Sequence, residues 1–208
     1  GTDVMPWCPR CGTGLSEHEI ATEGYREIVH PGLFVRFPII EASVHGSESV
    51  ASSNQPLTHD ARESLLVWTT TPWTLTANTA AAVHPDLIYI KVRTRSGGAG
   101  DGKEILYLVK NRLSVLRGEY EVLEEMPGRE LDGLRYRGPF DELPAARAVG
   151  RRVVLWDQVS AKEGTGIVHT APGAGKEDFV LGKKEGLSVI APLDEFGIFT
   201  EGFDWLTG

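Results

Sequence analysis

The sequence predicts a mostly β domain with short helices, built as a barrel or a sandwich. Three observations carry that prediction: eight short runs with strand character, a hairpin legible in the side-chain alternation, and helical stretches that are few and brief. In chain order the strand candidates are 33–37, 65–68, 87–95, 104–108, 120–123, 151–156, 166–169 and 188–190, each rich in β-branched, aromatic or alternating apolar residues. Residues 87–93 alternate cleanly, and the Gly-rich stretch 96–103 joins them to 104–108, so a hairpin with one wet face is expected there. Short helices are expected over 110–116, 143–149 and 177–185. The Ser/Asn/His-rich stretch 44–60 reads as a loop, and no internal repeat is visible.

A chain of 208 residues can bury a sizeable core and is expected to fold alone. Hydrophobic residues at 41% and charged residues at 24% match an ordinary soluble domain, and no apolar run approaches the roughly 20 residues of a membrane span. The start at Gly1-Thr2-Asp3, with neither an initiator Met nor a signal peptide, reads as a piece of a longer protein. A formal charge of -8 excludes blanket phosphate neutralisation as a way of holding nucleic acid, so any RNA contact must be local. Arg151-Arg152 and Lys183-Lys184 are the only paired cations, and such pairs are ordinarily a solvated face.

Residues 1–20 form a distinct head before the main domain, 21–208. Cys8-Pro9-Arg10-Cys11 is followed by Gly12-Thr13-Gly14, which cannot readily start the helix that a thioredoxin-like redox motif requires. The segment reads instead as half a zinc ribbon, with Cys8 and Cys11 supplying two of four tetrahedral ligands and the partners lying outside this chain.

Two segments carry candidate chemistry. In 68–78, WTTTPWTLTAN, three threonines end a strand, and Pro72 keeps Thr71 out of the helical region. Alternation then sends Thr69 and Thr71 to one side and Thr70 to the other, so two hydroxyls can line one pocket wall. In 164–179, GTGIVHTAPGAGKEDF, an apolar strand leads through His169 and a Gly-rich turn to Glu177-Asp178 at a helix start. An imidazole and a carboxylate on either side of a turn poor in side chains could hold a small polar ligand, the carboxylate taking an ammonium group and the imidazole a hydroxyl or a water. Glycine-rich phosphate loops, a GxSxG elbow and a paired-acid pattern for glycoside chemistry are absent from the sequence.

Taken with CPRCGTGLSEHE at the start, these two segments resemble the editing insertion, or connective polypeptide, of isoleucyl-tRNA synthetases. The resemblance spans nearly the whole chain. Related editing domains of valyl and leucyl enzymes share the GTG start but tend to Lys or Met where this chain has His169, so His-Thr-Ala-Pro favours the isoleucyl type. The chain departs from the family pattern at Thr76, commonly Pro, and at Ala174, often His.

The resemblance implies a β-barrel-like domain that hydrolyses mischarged Val-tRNA(Ile), and valyl-adenylate as a further substrate, without a cofactor. A synthetic pocket cannot strongly reject a ligand smaller by one methylene, so a second site destroys what is small enough to enter it; isoleucine against valine is the standard illustration. It further implies His169, Asp178 and Thr70 as catalytic residues. Thr69, Thr71, Trp73, Asn78, Gly164, Thr165 and Asp178 are implied to bind substrate, Asp178 through the α-ammonium. The tRNA(Ile) acceptor end, the valyl-adenosine moiety and the rest of the parent synthetase are the implied partners, in the cytoplasm, with Zn²⁺ possible in the full-length enzyme.

Overall fold

A computed structural model describes residues 4–20, 29, 31–41, 62–95 and 104–207. The expected loop 44–60 and turn 96–103 lie outside the described residues. A two-stranded ribbon, β1 (Trp7–Cys8) with β2 (Thr13–Gly14), is followed by the short helix α1 (Glu17–Glu19). The main sheet has nine strands: β3 (Leu33–Glu41), β4 (Arg62–Thr69), β5 (Ala80–Val83), β6 (Ile88–Thr94), β7 (Glu104–Val109), β8 (Tyr120–Pro127), β9 (Arg135–Tyr136), β10 (Arg152–Leu155) and β11 (Ile167–Thr170). Two α-helices, α2 (Pro144–Arg147) and α3 (Lys176–Glu185), and several 3-10 turns complete the described fold. The mostly β expectation holds.

Six strands close on themselves. β11 pairs antiparallel with β5, β5 parallel with β10, β10 antiparallel with β9, β9 antiparallel with β3, and β3 antiparallel with β4. A parallel bridge from Val168 on β11 to Trp68 on β4 completes the ring. β4 also pairs with β7 through Arg62–Leu65, and β7–β6–β8 extends from that edge as an open flap. One edge of β4 therefore serves two sheets at different heights.

The main core fills the ring with Phe37, Leu65, Val67, Tyr136, Val153 and Ile167, and continues under the flap through Tyr89, Tyr107 and Val109. Leu66 points the other way, into a second cluster with Ile90, Val92, Leu106 and Leu108. This explains the unbroken apolar run Leu65-Leu66-Val67, since a strand covered on both faces has no wet side to alternate with. β7 is likewise covered on both faces because it is central. The wet face expected of the hairpin is carried by β6, where Lys91 reaches Glu63 and Arg93 reaches Glu121.

β5, Ala80-Ala81-Ala82-Val83, is a strand that the sequence does not announce. Alanine is a poor strand former, but Ala81 and Val83 face the main core while Ala80 and Ala82 pack with Leu181 of α3, and all four are fully buried. Small side chains let the helix approach the sheet closely. Conversely, 188–190, an expected strand, makes no ladder. It leaves α3 through Gly186, which caps the helix in the left-handed conformation (φ 65°), and presses against Gly173, with Ile190 buried beside Phe203. The 110–116 stretch is a 3-10 rather than an α-helix.

Tyr89 bolts the flap to the ring. Its buried hydroxyl donates to the Gly166 carbonyl at 2.6 Å and accepts the His84 N–H at 3.0 Å, and burial pushes its pKa up to about 12. Tyr89→Phe strands both partners, so unfolding free energy should fall by about 1–3 kcal/mol, read as a lower urea midpoint with an unchanged slope.

Candidate active site

The bridge that closes the ring also builds the site. Val168 and Trp68 are in parallel register, so the next residues on each strand, His169 and Thr69, lie side by side at the same end of the ring. His169 shares the inward face of β11 with Ile167 and is paired with Ala81 on β5.

Beyond Thr69 the chain bends, and Pro72 opens a 3-10 helix, Pro72–Ala77, with Thr71 at its N-cap in a non-helical conformation (φ -123°, ψ 66°). Thr71 N–H donates to Thr69 Oγ1 at 3.0 Å, and the two hydroxyl oxygens are 3.4 Å apart, so Thr69 and Thr71 share a side as alternation predicts. Thr70 is exposed and stands outside this hydrogen-bonded group. Three residues after Thr71 comes Thr74, their hydroxyl oxygens 3.3 Å apart. Its hydroxyl donates to the Thr71 carbonyl at 2.8 Å and lies 3.0 Å from His169 Nε2.

On the other side of the ring, His169 Nδ1 is 2.9 Å from Asn78 Nδ2. Asn78 is completely buried, and its amide also donates to the Ala80 carbonyl at 2.9 Å while its Oδ1 accepts the Tyr136 hydroxyl at 2.9 Å. Arg151, itself buried, donates to the Asn78 carbonyl at 3.1 Å and is ion-paired with Asp141. Burial lowers the His169 pKa from its ordinary 6.5 to about 4, against a small opposing effect from Thr74, so the ring is neutral at physiological pH.

Asp178 sits in the first turn of α3. Its Oδ2 accepts the Ala171 N–H at 2.8 Å, which ties the turn 171–175 to the helix two residues after His169. Gly182 packs against Pro172 and closes the same turn from further along the helix. Burial raises the Asp178 carboxyl above its ordinary value, opposed by the Ala171 hydrogen bond, with Glu177 adding to the rise. Trp73 is 65% exposed beside the threonines.

Gly164 and Thr165 are placed differently from the rest. Gly164 has φ 61°, and a Cβ there would fall 2.5 Å from the Trp68 indole, while its carbonyl accepts from Arg112 Nε at 3.0 Å. Thr165 is fully buried with its hydroxyl on the Ile167 backbone. Both fix the start of β11, and neither joins the cluster at His169. Thr74, Tyr136 and Arg151 are the residues that sequence reasoning missed. The three-residue spacing from Thr71 across a Pro-initiated turn signals Thr74, but Tyr136 and Arg151 lie 58 and 73 residues from Asn78 and leave no local trace.

Comparison with known proteins follows this geometry. No family model matches the chain. It is 46% identical over 199 residues to an isoleucine–tRNA ligase of Methanothermobacter thermautotrophicus, covering 95% of the chain and 16% of that protein. To the enzyme of Pyrococcus abyssi it is 44% identical over 210 residues, covering 96% of the chain and 18% of that protein. The chain belongs to the isoleucyl-tRNA synthetase family. It spans less than a fifth of the length of these relatives and corresponds to an internal segment of them. The fold agrees: the structure of a leucyl-tRNA synthetase connective polypeptide, GlLeuRS-CP1, superposes with a TM-score of 0.55 at 17% identity, over 74% of this chain and 60% of that one. A P. falciparum cytosolic leucyl-tRNA synthetase editing domain carrying deletions gives 0.50 at 15% identity, over 62% of this chain and 48% of that one. The expected class I synthetase editing-domain fold is therefore the fold found.

Within this isoleucyl-tRNA synthetase segment the cysteine knuckle is formed, the Cys11 N–H pointing at Cys8 Sγ at 3.4 Å. The hydrogen bond between the two thiols, followed by that backbone N–H, lowers the Cys8 pKa, and the same thiol contact raises that of Cys11. The described residues contain no group of three or more His, Cys, Asp or Glu able to hold a metal. The knuckle is fastened to the far end of the chain, Trp7 Nε1 donating to the Glu195 carbonyl at 2.7 Å. Among the described residues no helix is long and apolar enough to cross a membrane.

A neutral buried histidine makes the domain acid-sensitive. Because its folded pKa lies below the unfolded value, the stability is intact above about pH 6.5 and is lost as pH falls toward about 4, by about 3 kcal/mol in total. Asp178, raised on folding, works in the opposite direction. His169→Gln should flatten the acid-side slope in urea titrations across this window, leaving the opposing Asp178 contribution.

Proposed function

We propose that this segment is the hydrolytic editing site of an isoleucyl-tRNA synthetase, removing valine from mischarged Val-tRNA(Ile) and also acting on valyl-adenylate. The observation that carries the reading is the unbroken path Thr69–Thr71–Thr74–His169, continued through two backbone residues to the Asp178 carboxylate. It sets a wall of small side chains, a neutral imidazole and an acid around one end of the ring.

In this reading Asp178 grips the α-ammonium with the oxygen not committed to Ala171, which holds the ester carbonyl in one orientation. The threonine methyls and hydroxyls bound the side chain of the amino acid, and a packed wall resists one further methylene. His169 donates toward the carbonyl or a neighbouring ribose oxygen, and Trp73 shapes the entrance for the acceptor end. An aminoacyl ester is already labile, so oriented water and a stabilised oxyanion suffice without a metal step. The knuckle cysteines are assigned to a zinc ribbon completed by the parent enzyme, away from the reaction.

Two measurements test this. Asp178→Asn should lower kcat/KM for Val-tRNA(Ile) deacylation by about 100-fold, as loss of a charge-assisted contact worth about 3 kcal/mol. Unchanged turnover would remove Asp178 from the site. Thr71→Ala should admit isoleucyl esters, narrowing a discrimination whose ceiling for one methylene is about 1–3 kcal/mol; continued exclusion of isoleucine would place the filter elsewhere.

A further inference from the structure

We propose that His169 works as a fixed hydrogen-bond donor and not as a base, and that Tyr136 is the positioning residue that fixes it, acting through Asn78. The inference rests on the editing reading for its catalytic consequence, but the hydrogen-bond directions stand on the geometry.

Ala80 O can only accept, so the Asn78 atom 2.9 Å from it must be the amide nitrogen. That leaves Oδ1 toward Tyr136, whose hydroxyl donates to it at 2.9 Å. Turning the amide over would set Oδ1 against the Ala80 carbonyl, two acceptors face to face. With the amide so oriented, one of its hydrogens goes to Ala80 O and the other to His169 Nδ1, both at 2.9 Å, the Thr170 carbonyl at 3.5 Å being the more distant third acceptor. Nδ1 must then carry the lone pair. A neutral imidazole has a single N–H, which is therefore on Nε2, directed at Thr74 Oγ1, and the Thr74 hydrogen passes on to the Thr71 carbonyl. Every donor from Tyr136 to Thr71 has one direction.

Neither ring nitrogen has a lone pair to spare in this arrangement. Taking a proton at Nδ1 would turn it against the Asn78 N–H and would occur in a site where His169 is 5% exposed. What the ring offers a ligand is the Nε2 hydrogen, exchanged from Thr74 to a substrate oxygen. In hydrolysis the water oxygen bonds to the carbonyl carbon, the bond from that carbon to the ribose oxygen breaks, and the water's proton ends on the ribose oxygen without resting on His169. Arg151 holds the Asn78 backbone from behind through the same residue.

The test is imidazole ¹⁵N NMR of the ligand-free chain together with single-turnover deacylation. Wild type should show His169 wholly as the Nε2–H tautomer. Tyr136→Phe, which keeps the ring packing and the Ala80 carbonyl but leaves the buried Asn78 Oδ1 unpaired, should loosen the amide enough to raise the Nδ1–H share of His169 and lower the deacylation rate constant about tenfold with KM within about twofold, because a wrong tautomer misdirects an otherwise intact site. His169→Gln, whose amide can donate from a similar position, should retain more activity than His169→Ala. An Nδ1–H tautomer in wild type, an unchanged tautomer and rate in Tyr136→Phe, or equal loss in the Gln and Ala variants would each overturn the proposal. Should Tyr136→Phe fail to fold, the wild-type spectrum and the Gln–Ala comparison decide it. Absence of any Val-tRNA(Ile) hydrolysis by the parent enzyme would instead overturn the editing reading, leaving the tautomer result standing.

Discussion

One backbone contact, the parallel bridge between Val168 and Trp68, governs this molecule. It converts an open sheet into a ring, and because its register is parallel, the residues just beyond it, Thr69 and His169, are delivered to one another. Two features protect the bridge. Gly164 lets the chain pass under the Trp68 indole, and the Tyr89 hydroxyl holds the Gly166 carbonyl at the start of β11. The site thus inherits its precision from strand pairing, while the loops on either side add the groups that meet a ligand. Binding residues held on loops by a rigid frame are the ordinary arrangement in enzymes.

Electrostatically the site holds two groups moved in opposite senses from solution behaviour by the same cause. Burial keeps the imidazole uncharged and makes the carboxylate reluctant to ionise. In the proposed role, a cation entering between them would satisfy the acid without repulsion from a neighbouring imidazolium, so a neutral histidine suits that reading. Asn78 supports that condition chemically. An amide N–H facing Nδ1 favours the neutral ring, whereas a carboxylate there would favour the charged one.

How much of this was legible in the sequence divides along physical lines. Strands β3, β4, β6, β7, β8, β10 and β11 were visible because each has a β-branched or alternating pattern of its own, although β3 and β8 run well past their predicted ends. β5 was invisible because its alanines answer to helix packing on one side and the ring core on the other, a tertiary demand with no local pattern. The same holds at the site. Thr69, Thr71, His169 and Asp178 announce themselves by residue type around turns, and the structure does bring the first three together. Tyr136 looks like any core aromatic, stacked 5.0 Å from Phe37, and only its hydroxyl gives it a further task. Gly164 and Thr165, in the same recognisable motif, make their contacts at the start of β11 and outside the cluster at His169.

The division has a consequence for how specificity and chemistry can vary separately. In the proposed reading the wall that bounds the amino acid is one continuous stretch, Thr69 to Thr74, ending a strand and opening a short helix. The device that orients the imidazole is assembled from Tyr136 of β9, Arg151 just before β10 and Asn78 two residues before β5, and it reaches His169 through Asn78. A change in the size of a threonine therefore alters what is admitted without disturbing the hydrogen-bond directions behind the ring. A change at Tyr136 or Arg151 leaves the wall intact and loosens the donor. Thr74 is the single residue that belongs to both, since it lines the stretch and receives the Nε2 hydrogen. Coupling between the size filter and the chemistry must pass through its hydroxyl.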